Sequence, residues 1–166
     1  MRCDTIGSLV LLAVLALLIL RPWEGGTNGG PAAVTAPVVR VVDGDTFEAR
    51  IDGEDEDVRL IGVDTPETVK PDTPVQCYGP RASDFTHHLL EGRTVRLVFG
   101  VERRDVYGRL LAYVHLGDRF VNAALVRRGL ARTLTIPPND RYAPFLHRLE
   151  VAAARAGRGL WTACGG

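Results

Sequence analysis

Three short runs rich in β-branched and apolar residues, Val38 to Val42, Thr46 to Ile51 and Val58 to Val63, follow one another with only turn-length gaps between them. Runs of this length and composition are strands, and strands so close in sequence pair with their neighbours. Asp43, Gly44 and Asp45 make the first connection, and the acidic stretch Gly53 to Asp57 is expected to be an exposed hairpin turn. A helix is predicted from Pro80 through Ala82, Phe85 and Leu89, with Gly92 as its stop. Thr94 to Phe99 and Leu110 to His115 are further strands. Val121 to Arg128 is a short helix ended by Gly129, and Arg141 to Ala156 is a last one, entered from the turn Pro137 to Asp140. Three strands, a helix, two strands and two helices predict an α+β domain in which a small antiparallel barrel carries helices on one side.

Ahead of that domain, Ile6 to Leu20 is an uncharged run between Arg2 and Arg21. Its 15 residues fall short of the roughly 20 that cross a bilayer and match the apolar part of an export signal. The nearest small-residue cleavage site ends at Ala36, after the Gly- and Pro-rich stretch 25–37. Residues 1–36 are therefore read as an export signal or as a retained N-terminal anchor with its linker, and 37–164 as one folded domain. The protein is expected outside the cytoplasm, secreted or membrane-anchored through residues 6–20, and monomeric. In that oxidising setting Cys77 and Cys164 are expected to pair. The bridge closes a long loop, which the chain-entropy model values at about 4 to 5 kcal/mol.

The chain carries 20 basic and 20 acidic side chains, so it cannot hold nucleic acid by bulk positive charge alone. Nineteen of the basic residues are arginine and Lys70 is the one lysine. Arginine forks make planar, bidentate contacts to phosphate or carboxylate. Carboxylates and arginines alternate in three short windows: Asp43, Gly44, Asp45, Thr46; then Arg59 through Asp64, Thr65, Pro66, Glu67; then Asp105, Val106, Tyr107, Gly108, Arg109. Asp45 and Asp64, on neighbouring strands, can converge at one end of the barrel as hard oxygen ligands suited to Ca²⁺ or Mg²⁺ and not to zinc. Taken singly, the first two windows also read as an Asx turn and a Pro turn, and Arg109 as a solvated strand end.

Together these windows resemble the staphylococcal nuclease (thermonuclease) family. The resemblance runs from about Val38 to Trp161 through Val42 to Thr46, Arg59 to Glu67, Tyr78 to Ser83, Asp105 to Tyr113 and Val121 to Ala131, in order and at compatible spacing. It implies a five-stranded OB-type barrel with three α-helices and a Ca²⁺-dependent nuclease acting on DNA or RNA and leaving 3′-phosphate ends. On that resemblance Asp45 and Asp64 are carboxylate ligands of Ca²⁺, Thr65 supplies a backbone carbonyl, and Asp43 lies just behind them. Glu67 activates or orients the attacking water, Arg59 and Arg109 bind phosphate, and Tyr107 contacts a nucleotide phosphate. The chain departs from the family pattern at Val106, where a lysine sits, and at Thr135 and Pro137, where tyrosines flank the base. Tyr142 is the aromatic candidate to replace them.

The rival reading is a nucleic-acid-binding barrel that does not cut, but such a module has no reason to keep Asp45, Asp64, Glu67, Arg59 and Arg109 together. A serine hydrolase lacks its elbow, since Ser8 and Ser83 are the only serines. Zinc chemistry lacks its ligands. His87 and His88 are adjacent and point to different helix faces, and His115 and His147 stand alone.

Overall fold

The computed structural model describes residues 32–69 and 72–165. The apolar run 6–20, and with it the choice between signal and anchor, lies outside the described residues. Among the described residues no helix is long and apolar enough to cross a membrane.

Strands β1 (Ala33–Val41), β2 (Thr46–Ile51), β3 (Glu54–Leu60), β5 (Thr94–Arg104) and β6 (Leu110–Leu116) form the main sheet, with the short β7 (Arg119–Phe120) beyond β6. Neighbours along the order β3-β2-β1-β5-β6-β7 are antiparallel. A parallel pairing of β3 with β6, Val58 opposite Leu110, closes the first five strands into a barrel. This is the OB-type arrangement expected. Closure buries one face of each strand, and Phe47, Val58, Leu60, Val95, Leu97 and Val114 fill the interior.

Helices α1 (Gly79–Leu90), α2 (Val121–Arg127) and α3 (Ala143–Arg155) cover the barrel, and a single turn, α4 (Leu160–Ala163), ends the chain. Pro80 stands in the first turn of α1, where its missing N–H costs nothing, and Ala82, Thr86 and Leu90 form its buried stripe. The expected strand Val58 to Val63 breaks at Ile61, and its last part, β4 (Gly62–Asp64), pairs instead with β8 (Arg132–Leu134), a strand not expected, Asp64 opposite Arg132. Buried Asn122 joins the layers. Its Oδ1 accepts from the Val114 N–H at 3.0 Å and its Nδ2 donates to the Ile61 carbonyl at 2.8 Å.

β5 runs on to Arg104, past its expected end at Phe99, and two further boundaries differ in ways that bear on the barrel. The acidic stretch is not a turn: the turn is Asp52–Gly53, both at positive φ, and Glu54 to Asp57 continue as β3 in register with β2. An Asp-Gly pair suits a two-residue hairpin. The acids are tolerated in a strand because they face solvent and meet arginines, Arg50 on Asp55 at 2.7 Å and Arg104 on Glu56 at 2.7 Å.

The second difference is at the start. β1 begins at Ala33, upstream of the boundary drawn at Pro37, and Ala36 is fully buried, with Ala33 to Pro37 paired to β5. Cleavage after Ala36 would cut a strand inside the barrel. A chain beginning at Pro37 is therefore expected to be less stable than one beginning at Pro31 by about 2 kcal/mol or more, a few strand hydrogen bonds being worth about 1 kcal/mol each. Urea unfolding of the two chains measures this, and equal midpoints would show that the segment adds nothing.

Candidate active site

The β1–β2 connection aims the first carboxylates. Asp43 Oδ1 accepts from the Asp45 N–H at 3.0 Å, and the Val42 N–H reaches the Thr46 carbonyl at 2.9 Å. The Asx turn is thus present, and it serves to present Asp45. Gly44 is required there because a Cβ would lie 2.6 Å from Thr65 Oγ1, and its carbonyl takes a hydrogen bond from Thr86 of α1 at 2.7 Å. With no side chain at 44, the segment after β4 packs against the turn, and the Thr65 N–H donates to Asp45 Oδ2 at 2.7 Å. Residues twenty apart in sequence are joined through one buried carboxylate.

Arg59, near the end of β3, carries the next layer. Its guanidinium pairs with Asp45 through Nη1 and with Asp64 Oδ1 through Nη2 at 3.0 Å. Both sequence-predicted carboxylates therefore converge on one point. Arg59 Nη1 is buried and makes an ion contact with Asp45 without an aligned hydrogen bond. Burial pushes the Arg59 pKa down, and the neighbouring Arg109 adds to this against Asp64 and Asp43. Burial likewise raises the Asp43 carboxyl, aided by nearby Glu67 and opposed by Arg59. Asp43 thus feels both Arg59 and Glu67, and Arg59 feels Asp64, Arg109 and Asp43.

Arg109 owes its position to Asp105. Asp105 Oδ1 accepts from the N–H groups of Tyr107 and Arg109, each at 3.0 Å, and Oδ2 accepts from Arg109 Nε at 2.8 Å. One carboxylate thus builds the β5–β6 turn and orients the guanidinium. Burial works against the Asp105 charge, and the Arg109 hydrogen bonds outweigh it and hold that carboxyl below its ordinary range. An acid four residues before an arginine, with Gly108 between, was the available signal. Tyr107 is 81% exposed with Arg109 over its ring at 5.4 Å.

Arg59 and Arg109 also line one cleft of about 290 Å³. Buried Leu60 and Val63 back its lining, and exposed Val106, Leu134 and Ile136 supply most of its apolar rim. Asn139 holds that rim, its side chain bonding both the N–H and the carbonyl of Glu102 at 3.1 and 2.8 Å. Tyr142 is not part of the cleft. It packs against Tyr113 at 4.7 Å and Phe120 at 5.0 Å between ring centroids, because α3 begins there and needs an apolar cover. Thr135 and Pro137 are exposed and contribute no ring.

Glu67 heads the segment after β4. Its Oε1 accepts from the N–H groups of Thr68 and Val69 at 2.8 and 2.9 Å. Cys77 and Cys164 are bonded to each other. No group of three or more His, Cys, Asp and Glu side chains is gathered for a metal among the described residues. What the site offers a hard cation is the pair Asp45 and Asp64, already placed to face one positive charge, and the adjoining backbone of Thr65. Ca²⁺ takes six to eight oxygen ligands, so water and substrate oxygens would supply the remainder.

Comparison with known proteins bears on this arrangement. The family described as "Staphylococcal nuclease homologue" matches residues 57–163. The chain is 44% identical over 169 residues to the thermonuclease of Staphylococcus intermedius, covering 97% of this chain and 99% of that one. It is 38% identical over 168 residues to the thermonuclease of Staphylococcus hyicus, covering 98% and 99%. Endonuclease YncB of Bacillus subtilis (strain 168) is 37% identical over 134 residues, 80% of this chain and 64% of that protein.

Proposed function

The chain belongs to the staphylococcal nuclease family, and on that premise we propose that it is a Ca²⁺-dependent nuclease hydrolysing phosphodiester bonds of DNA or RNA and leaving 3′-phosphate ends. The observation that carries the reading is the convergence of Asp45 and Asp64 on the Arg59 guanidinium, with Arg59 and Arg109 both lining an apolar cleft. Asp45, Asp64 and the Thr65 carbonyl hold the cation, with Asp43 bracing the turn behind them. When bound, the cation neutralises negative charge on the phosphoryl oxygens.

The remaining work falls to side chains of the chain itself. Glu67 accepts the proton of the attacking water or holds that water in line with the scissile bond. Arg59 and Arg109 present N–H forks to the phosphoryl oxygens, where charge grows as the water attacks. Asp105 keeps the Arg109 fork turned inward, and Tyr107 meets the phosphate at the exposed edge. The apolar cleft takes a base or sugar by contact area, without the flanking tyrosines of the family pattern. The protein acts as a monomer outside the cytoplasm.

The test is incubation of residues 31–166 with single-stranded DNA, duplex DNA and RNA, with Ca²⁺ or with a chelator, followed by end-group analysis. Cleavage confined to the Ca²⁺ arm with 3′-phosphate products is expected. Tight binding with no cleavage in any arm would move the chain to the non-cutting barrels.

A further inference from the structure

The segment that carries Glu67 is fastened from outside the barrel. The Glu67 N–H donates to Gln76 Oε1 at 2.9 Å, and the Gln76 N–H returns a hydrogen bond to the Glu67 carbonyl at 2.9 Å. Gln76 thus grips the Glu67 backbone at both polar groups. The start of α1 is seated on the same stretch: a Cβ at Gly79 would lie 3.0 Å from the carbonyl oxygens of Pro66 and Glu67. The Glu67 carboxylate is bonded to the N–H groups that immediately follow it. A shift of the Glu67 backbone therefore carries the carboxylate with it.

Gln76 is in turn tied to the C-terminal end of the chain. Its neighbour Cys77 is bonded to Cys164, 87 residues away in sequence, with 5.8 Å between the Cα atoms. Cys164 ends the turn α4, its N–H bonding the Leu160 carbonyl at 3.0 Å. Leu160 is 2% exposed, and its N–H is bonded to the Gly129 carbonyl at 2.9 Å. A continuous tether runs from the core at Leu160 through Cys164, Cys77 and Gln76 to Glu67. Gln76 is exposed, so water competes for the two hydrogen bonds at its far end. They hold best when the partner cannot drift, and the disulfide supplies that constraint.

We infer that Gln76 is a positioning residue for Glu67 and that the Cys77–Cys164 disulfide keeps it in place, so that turnover depends on the oxidised bridge. This rests on the reading that Glu67 works at the reacting centre. Both cysteines are exposed, so a soluble dithiol can reach the bond. Reduction passes two electrons and two protons from the dithiol to the protein, giving two thiols and a cyclic disulfide of the reductant.

The experiment compares the wild-type protein, Gln76→Met, the double variant Cys77→Ser with Cys164→Ser, and the three substitutions combined, on one single-stranded DNA oligonucleotide with Ca²⁺. Assays run well below every melting temperature. Gln76→Met and the double variant are each expected to lower kcat about tenfold with KM changed less than about twofold, since a 1 Å misplacement costs up to about 10²-fold. The combined variant is expected to fall no further than either, because both act through one tether. Gln76→Glu, which keeps an acceptor oxygen, restores most of kcat, and dithiothreitol lowers wild-type kcat reversibly. An unchanged kcat in Gln76→Met, or effects that multiply in the combined variant, would overturn the inference. Glu67→Gln assayed beside them separates the two ideas. If it is active, the reading of Glu67 fails; if it is inactive while Gln76→Met is unaffected, only the tether fails.

Discussion

Glu67→Gln is expected to lower kcat at least about 10²-fold, the scale of a lost general acid–base group, with the fold intact. The substitution is close to isosteric, and the amide oxygen can still accept from the Thr68 and Val69 N–H groups that the Glu67 carboxylate serves now. What disappears is the negative charge and the capacity to take a proton. An amide neither removes a proton from water nor attracts its hydrogens as strongly, so the loss should fall on kcat and leave KM nearly unchanged. Stopped-flow assay on a defined oligonucleotide, with circular dichroism as the folding control, measures it. Turnover near that of the wild type would remove Glu67 from the mechanism.

Arg109→Ala is expected to cost at least about as much, roughly 10² to 10³-fold in kcat, the range for removing one fixed donor of transition-state charge. Arg109→Lys should recover only a small part of it, because an ammonium cannot present two parallel N–H groups to a phosphoryl edge. The structural cost is modest. The Arg109–Asp105 pair is partly exposed, at 28% and 17% of the side-chain surfaces, and Asp105 keeps its hydrogen bond from the Tyr107 N–H in either variant. Screening by solvent holds such a pair to about 1 kcal/mol or less. Kinetics of both variants against their melting temperatures test this. A Lys variant with wild-type kcat would show that charge alone, and not the fork, is what Arg109 supplies.

Much of the architecture is legible in the chain because it follows local rules. The turn at Asp43, the Pro80 start of α1, the apolar stripe that ends before Gly92 and the strand runs after Val38 all lie within a few residues of where they were expected. The error at Glu54 to Asp57 is instructive. Charge density alone argued for a loop, yet arginines on other strands meet Asp55 and Glu56, and their solvent-facing positions demand no apolar residue. Tyr142 has a type that suits base stacking, while its place at the head of α3 commits it to Tyr113 and Phe120. Asp105 stood in view within its window, and only its hydrogen bonds show that it orients Arg109.

By itself the sequence determined the kinds of element, their order, and three windows holding the carboxylates and arginines from which a phosphate site can be made. Periodicity, turn chemistry and side-chain pKa class are properties of a few neighbouring residues, so they survive in the unfolded chain. Tertiary structure alone decided that Asp45 would bond the N–H of Thr65, that Arg59 would bridge Asp45 and Asp64, and that Gln76, beside the expected Cys77–Cys164 bridge, would grip Glu67. Those contacts join segments far apart along the chain. They exist only because barrel closure between β3 and β6 fixes where each segment ends, and no local preference encodes that distance.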